Sequence, residues 1–402
     1  MKKIIALLLL LCLCVSFVAC SEEEPETTET TETTTVTTPT ESTVTEPTTD
    51  KETEEDVPVM QRPIASVSLP MQTTTYEADD GAVILNYDYQ FMALTLSDAE
   101  VADKITIDFL NRVDNTKKTA NSVLASAKSA YDSSADWMPY QYTVAYTPKR
   151  VDNGVLSLLG CDATYHGAHV EVIFHSVNYS MITGNTLSLY NIIEDKEFSD
   201  ELCDAVLAYL KENEAELYLY PDYEATVKQQ FSGGANDNWY FTADGLCFFF
   251  SPYEIAPYSS GVVTAEIPYD KLNGILRAEY FPEERDLIAG KIQMLDFSTE
   301  NLQMFSQFSE LILNEGADKF LLYTDKAAYD IQIDIGSLTA SGNFRAKQTV
   351  YASASLTPGD AITVEADLSD GACLQVRYLS GEDYVTALIT LDSESGSPKI
   401  SA

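Results

Sequence analysis

The sequence predicts an α+β protein: a largely antiparallel sheet with helices, followed by a C-terminal β-sandwich-like domain. Three observations carry that expectation. Before Pro282, apolar residues recur at helical intervals in three stretches, with strand-like runs between them. After Pro282 the texture changes to short alternating runs separated by turn signals. An apolar fraction of 45%, with 24 Tyr and 16 Phe among 402 residues, supplies enough bulk for packed cores in more than one domain.

The first segment reads as an address. Met1-Lys2-Lys3 precedes an apolar run from Ile4 to Val18. As a helix that run spans about 22 Å, short of the ~30 Å hydrocarbon core, so residues 1–19 read as a cleaved signal peptide. The run ends Phe17-Val18-Ala19-Cys20-Ser21, which resembles a bacterial lipobox, although Phe17 stands where leucine is usual. Cys20 is then the expected lipid anchor, and a two-chain lipid suffices for stable attachment without a spanning helix. The plain alternative is an ordinary secretory signal with a chance cysteine.

Residues 21–56 hold 15 Thr and 13 acids, with Lys51 the sole base and Val36 and Val44 the sole apolar residues. Such a segment cannot build a core, so residues 20–62 read as a lipid anchor and disordered stalk.

In the head, Ser97-Asp98-Ala99-Glu100 has capping-box spacing before Val101, Ala102, Ile105 and Phe109, which predicts a helix. Val123, Leu124, Ala127 and Tyr131 predict a second, and Leu202, Val206, Tyr209 and Leu210 a third opening near Ser199. Strands are expected over 83–91, 140–146, 155–159 and 170–179. Trp239 to Phe241 and Leu246 to Phe250 flank a compact Thr-Ala-Asp-Gly turn and predict a hairpin. Beyond the expected boundary near 285, one helix is predicted over 299–313, then strands over 329–335, 350–354, 361–366, 373–379 and 384–391. The head thus divides into an α+β domain, 63–284, and a β-rich domain, 285–402.

Charge narrows the functions. With 63 acids against 24 bases the net charge is −39, and the head alone keeps −29 once signal and stalk are set aside. A surface this acidic repels phosphate backbones and anionic headgroups, which argues against nucleic-acid binding and polybasic membrane docking. Only the lipid anchor is expected to meet the membrane.

All three histidines fall between His166 and His175. On a strand, His169, Glu171 and His175 share one face, but 169 to 175 spans about 20 Å, too far for both imidazoles to reach one ion. A partial site from His166, His169 and Glu171 stays open beside solvent-facing histidines; no metal and no cofactor are expected. Cys161, Cys203, Cys247 and Cys373 could form two disulfides or lie as small buried hydrophobes, the reading that Cys247 within an apolar run favours. No nucleophile elbow, phosphate loop or EF-hand loop occurs, and no enzyme is expected.

Two stretches carry a resemblance: YHGAHVEVIFHSVNYSMITGNTLSLYNIIE over 165–194 and FTADGLCFFFSPYEIAPYSSGVVTAEIPYDKL over 241–272. Together they resemble the extracellular domain shared by RsiV-type anti-sigma factors and the N-terminal region of PdaC-type peptidoglycan deacetylases. The shared features are a Gly-Ala-His step at Gly167 to His169, an Asn-bearing strand, an aspartyl-glycine hairpin and the run Pro-Tyr-Glu-Ile-x-Pro-Tyr. His166 departs from the family's usual glycine before Gly167. The resemblance implies an anchored head that binds an extracellular partner, lysozyme being the partner class of the RsiV-type relatives. The candidate binding residues are Tyr253, Glu254, Pro257, Tyr258, Gly167 and His169. Two prolines stiffen the 251–261 segment and two tyrosines offer contact area at low entropic cost; the plain alternative is that the tyrosines fold back and close the domain. A carbohydrate- or wall-binding role in the C-terminal β-domain is the competing function.

Overall fold

The computed structural model describes residues 64–401 except 134–136, 168, 233–237, 284 and 286–288. The signal, Cys20 and the stalk therefore lie outside the described residues. No helix among those described is long and apolar enough to cross a membrane.

The fold is α+β. Short strands β1 (Ser66–Ser68), β2 (Met71–Glu77), β3 (Val83–Gln90) and β4 (Ala93–Thr95) precede the helix α1 (Ala99–Ser133), and β5 (Tyr140–Val151), β6 (Val155–Tyr165) and β7 (Val170–Ser180) follow it. A five-stranded sheet runs β2-β3-β5-β6-β7. Its pairs are antiparallel except β3–β5, where α1 is the crossover that a parallel pair requires. The two helices expected over 97–131 are one helix. Its buried stripe runs Val101, Ile105, Phe109, Val113, Ala120, Val123 and Ala127. The stripe is interrupted by Thr116, whose Oγ1 lies 2.6 Å from the Tyr87 hydroxyl, so the missing apolar position is filled by a hydrogen bond. Asp98, rather than Ser97, caps the helix, accepting from the amides of Glu100 and Val101 at 3.0 and 3.2 Å.

Helices α2 (Leu189–Ile192), α3 (Phe198–Glu212), α4 (Glu214–Leu217) and α5 (Tyr223–Phe231) lead into β8 (Trp239–Phe241), β9 (Gly245–Phe250) and β10 (Val263–Pro268). These strands form a three-stranded sheet ordered β10-β9-β8, with the expected hairpin at its start. Strand β9 is buried on both faces. Leu246, Phe248 and Phe250 pack with Leu202, Val206 and Val227 of the helices, while Cys247 and Phe249 pack with Leu159 and Phe174 of the five-stranded sheet. Polar bonds fix that docking. The Ser157 hydroxyl donates to Asn178 Oδ1 and accepts from the Phe241 amide at 2.9 Å, and Asn178 Nδ2 donates to the Trp239 carbonyl at 3.0 Å.

The remaining elements are β11 (Ile292–Asp296), α6 (Thr299–Leu302), β12 (Gln307–Ile312), β13 (Lys319–Thr324), β14 (Ala328–Leu338), β15 (Phe344–Leu356), β16 (Asp360–Glu365), β17 (Ala372–Ser380), β18 (Asp383–Leu391) and β19 (Pro398–Ser401). Two sheets, β11-β13-β16-β12 and β19-β18-β17-β14-β15-β1-β4, share one core. The long helix expected over 299–313 is corrected to the single turn α6 followed by a strand. Burial in β12 alternates, with Ser309 and Leu311 inward and Phe308, Glu310 and Ile312 outward, and the strand pairs in parallel with β16.

Strands β1 and β4 precede the expected boundary at 285 yet complete the later sheet, Val67 standing opposite Ala352 of β15 and Leu94 of β4. Gln90 secures the crossing. Fully buried, its Nε2 donates to the carbonyls of Leu69 at 3.0 Å and Thr349 at 3.2 Å, and its Oε1 accepts from the Tyr146 amide. A half-buried polar pair lies on the same sheet: His175 Nδ1 lies 3.8 Å from Asp162 Oδ1, and the Tyr142 hydroxyl donates to Asp162 Oδ2 at 3.2 Å. A Cβ at Gly160 would fall 2.3 Å from His175 Nε2, so glycine there makes room for the imidazole.

Gln90→Leu leaves three buried backbone groups unpaired and should cost about 3 kcal/mol or more of unfolding free energy in urea. Protease should then cut both halves together; cleavage confined to one half would contradict the shared anchor. Asn178→Leu should cost roughly 1–3 kcal/mol by the same measurement. Burial pushes the His175 pKa below its ordinary 6.5, with nearby Arg112 adding to the shift and Asp162 opposing it. The neutral imidazole's stability is then present above 6.5 and lost as pH falls, because the unfolded chain takes up a proton the folded one refuses. Burial raises Asp162, which works in the opposite sense at lower pH. Stability should therefore fall between about pH 7 and 6, and His175→Gln should flatten that slope in urea titrations; an equally steep variant profile would refute the assignment.

Candidate functional site

The segment 251–261 leaves β9 and is held from below. The Ser251 amide donates to Glu254 Oε2 at 2.8 Å, Gln230 Nε2 of α5 donates to Glu254 Oε1, and the Tyr253 amide donates to the Ala256 carbonyl at 3.0 Å. Ile255 and Ala256 are buried in the core beneath. Glu254 is thus a cap on the loop, and Ile255 its root. Above them Tyr253 is 68% exposed and Tyr258 40% exposed, their ring centres 5.4 Å apart. Pro257 opens a single 3₁₀ turn, Tyr258–Ser260, that Gly261 closes at φ 67° and ψ −145°, a conformation open in practice to glycine alone. Tyr253 itself sits at φ 72°, left-handed for a bulky residue.

A third tyrosine belongs to the same surface. The Tyr220 amide donates to the Ile255 carbonyl at 2.8 Å, and Ser260 Oγ donates to the Leu217 carbonyl at 3.2 Å. These bonds lay the 217–220 segment against the loop. Tyr218 between them is 71% exposed and also left-handed, at φ 54°. Exposed Glu212, Glu214, Glu216, Asp222 and Glu224 lie on the same stretch of chain, beside exposed Lys211 and Lys228. The surface is aromatic with an acidic flank. Sequence reasoning missed Tyr218; the available signal was Leu217-Tyr218-Leu219, where both leucines are partly buried against the core and the tyrosine between them turns out.

Gly167 and His169 sit elsewhere, in the β6–β7 turn. Gly167 adopts φ 83° with nothing within 4 Å of a would-be Cβ, and His169 is exposed. His166, in the place of the family's glycine, donates its amide to the His169 carbonyl at 3.0 Å and sets its ring edge-on to Tyr140. Among the described residues no hydrogen bond, ion pair or ring contact joins this turn to the 251–261 loop. His175 points at Asp162 rather than at His169. No group of three or more His, Cys, Asp or Glu able to hold a metal ion occurs among the described residues. No disulfide joins the four cysteines among the described residues; Cys203, Cys247 and Cys373 are buried, and burial pushes the Cys247 thiol up to about 12.

Comparison with known proteins finds a match over this part of the chain. Residues 191–270, which contain α3, the β8–β10 sheet and the whole 251–261 loop, match the model of DUF3298, described as a protein family of unknown function. A solved member of that family from Bacteroides fragilis NCTC 9343 is 16% identical with a TM-score of 0.40, over 54% of this chain and 94% of its own. A solved DUF3298 protein from Pseudomonas aeruginosa PAO1 is 19% identical with a TM-score of 0.35, over 54% of this chain and 98% of its own. No curated protein matches. Over residues 191–270 the chain is thus similar to the DUF3298 family of unknown function.

Proposed function

We propose that the protein is a non-enzymatic, lipid-anchored surface protein whose acidic head recognises a cationic extracellular protein through the tyrosine surface of 251–261 and Tyr218. The observation that carries this reading is the pairing of exposure with rigidity. Large tyrosines stand out from a loop whose base is tied by Glu254, Ile255 and Gly261, so little ordering cost falls on binding. The acidic flank from Glu212 to Glu224 and a head charge of −29 would steer a basic partner toward it. The RsiV-type resemblance supplies the partner class to try first, lysozyme-like wall hydrolases. Lipidation at Cys20 is part of the same reading, as it holds the head outside the membrane.

Binding of the full chain in detergent to a panel of lysozymes should show an association rate that falls as salt rises past ~0.15 M, where the screening length is about 8 Å. Tyr258→Ala and Tyr218→Ala should speed dissociation, each losing on the order of 1–3 kcal/mol if it is an anchor. Salt-sensitive binding indifferent to both substitutions reduces the claim to nonspecific charge attraction. Absence of lysozyme binding, with soluble wall glycans bound through residues 286–402, transfers the function to the glycan reading.

A further inference from the structure

An open cleft of about 60 Å³ lies where the two halves of the head meet. From the first half it is lined by Pro148 to Val151 at the end of β5 and by Ala243. From the second it is lined by Asp330 to Gln332 of β14, Ala352 and Ser353 of β15, Arg377 of β17 and Tyr384 of β18. In a chain with 63 acids and 24 bases, cations crowded into one cleft would be expected to find carboxylates. Here the two carboxylates nearest the cleft walls, Asp330 and Asp152, are already paired. Asp330 receives both arms of the Arg285 fork, at 2.7 and 2.8 Å, and the Tyr384 hydroxyl at 2.9 Å. Asp152 receives Arg150 Nε at 2.5 Å.

The cations left over are informative. Lys149, half-buried, has its Nζ 5.3 Å from the centre of the Tyr240 ring and no carboxylate within ion-pair distance among the described residues. Arg377 is stacked at 4.6 Å on the Tyr384 ring and likewise has no carboxylate partner among them. Arg150 is buried and gives Nη1 to the Tyr269 hydroxyl and the Tyr280 carbonyl at 2.7 and 2.6 Å, while its Nη2 is a buried donor without a partner among them. Burial, with repulsion from Arg377 adding to it, holds the Lys149 ammonium below its ordinary value. A buried guanidinium nitrogen without a partner is costly unless a polar group joins it, and Lys149 and Arg377 stand at the same cleft with no carboxylate in ion-pair distance among the described residues.

We infer that this junction cleft is a binding site for a carboxylate, held by Arg377 and Lys149 with Arg150 behind them. The planar fork of Arg377, kept in orientation by Tyr384, matches a carboxylate in two-point contact, and Lys149 supplies a single compact charge. The cavity has room for such a group or a few waters, not for a polyphosphate or a sugar ring. A ligand here touches β5 from one half and β14, β15, β17 and β18 from the other, so its binding should stiffen the junction. The carboxylate belongs either to a free small acid or to the end of a peptide chain.

The test is thermal unfolding of the full chain in sodium acetate, in alanyl-alanine dipeptide and in inorganic phosphate, each against sodium chloride at equal ionic strength. Acetate or the dipeptide should raise the unfolding midpoint in a saturable manner that chloride does not reproduce. Tighter binding of the dipeptide assigns the chain end; tighter binding of acetate assigns the free acid. Arg377→Gln should weaken the effect roughly tenfold or more, because a charge-assisted contact is lost from an exposed residue that the fold does not need. Lys149→Met should raise the ligand-free midpoint, by removing an uncompensated charge, and abolish most of the carboxylate increment. A midpoint that tracks ionic strength alone, an increment unchanged in Arg377→Gln, or saturable stabilisation by phosphate without acetate or dipeptide would each overturn the inference.

Discussion

The head is held together at Gln90. A glutamine with no exposed surface has lost all its water, so each polar atom must find a partner or the fold loses several kcal/mol. Here the amide answers carbonyls from β1 and β15, and the carbonyl oxygen answers an amide of β5. One side chain thereby registers three segments, the farthest of them 259 residues from Gln90 in sequence. The strand pairing of β1 with β15 and β4, and the packing of Ala65, Val67 and Leu69 beside Ala352, both follow from that alignment. The junction cleft also depends on it, because its walls come from β5 and β15.

The aromatic surface depends on a different economy. A loop that projects tyrosines into water gains nothing from their burial, so its shape must be held by what lies underneath. Ile255 fills the core, Glu254 ties the chain at both ends of a turn and to α5, and the backbone bonds to 217–220 fix the neighbouring segment. Left-handed Tyr218 and Tyr253 show that local preference yields to this frame.

Sequence pattern made the fold class, the β8–β9 hairpin and most later strands legible, because their apolar residues alternate cleanly. It misread α1 as two helices since Thr116 buries a hydroxyl where a hydrocarbon was expected. It extended α6 through 313 since Phe308, Leu311 and Ile312 also fit a helical period, and only the parallel partner β16 decides between the two. Strands as short as β1 and β4 carry no periodicity, so their membership in the later sheet could not be read at all. At the candidate site, Pro252 to Gly261 was visible through its prolines and tyrosines. The division of labour within it was not: whether Glu254 faces a partner or its own backbone is settled by the position of Gln230, twenty-four residues away. The asparagine of the β7 strand is likewise explained only by the fold, as the bracket that docks β8.

The placement of β1 has a mechanical consequence. Strand β1 begins two residues after Ile64 and is bonded on both sides, with Ser66, Val67 and Ser68 opposite β15 on one flank and β4 on the other. A pull applied to Ile64 along the axis of β1 would run parallel to the strand. It therefore loads the flanking hydrogen bonds together, in shear, whereas a hairpin edge would release them in sequence like a zipper. Gln90 adds a cross-pin at the strand's far end, at the carbonyl of Leu69. Strand β1, one place in from the edge of its sheet, is thus held on both flanks and does not peel from a loose edge.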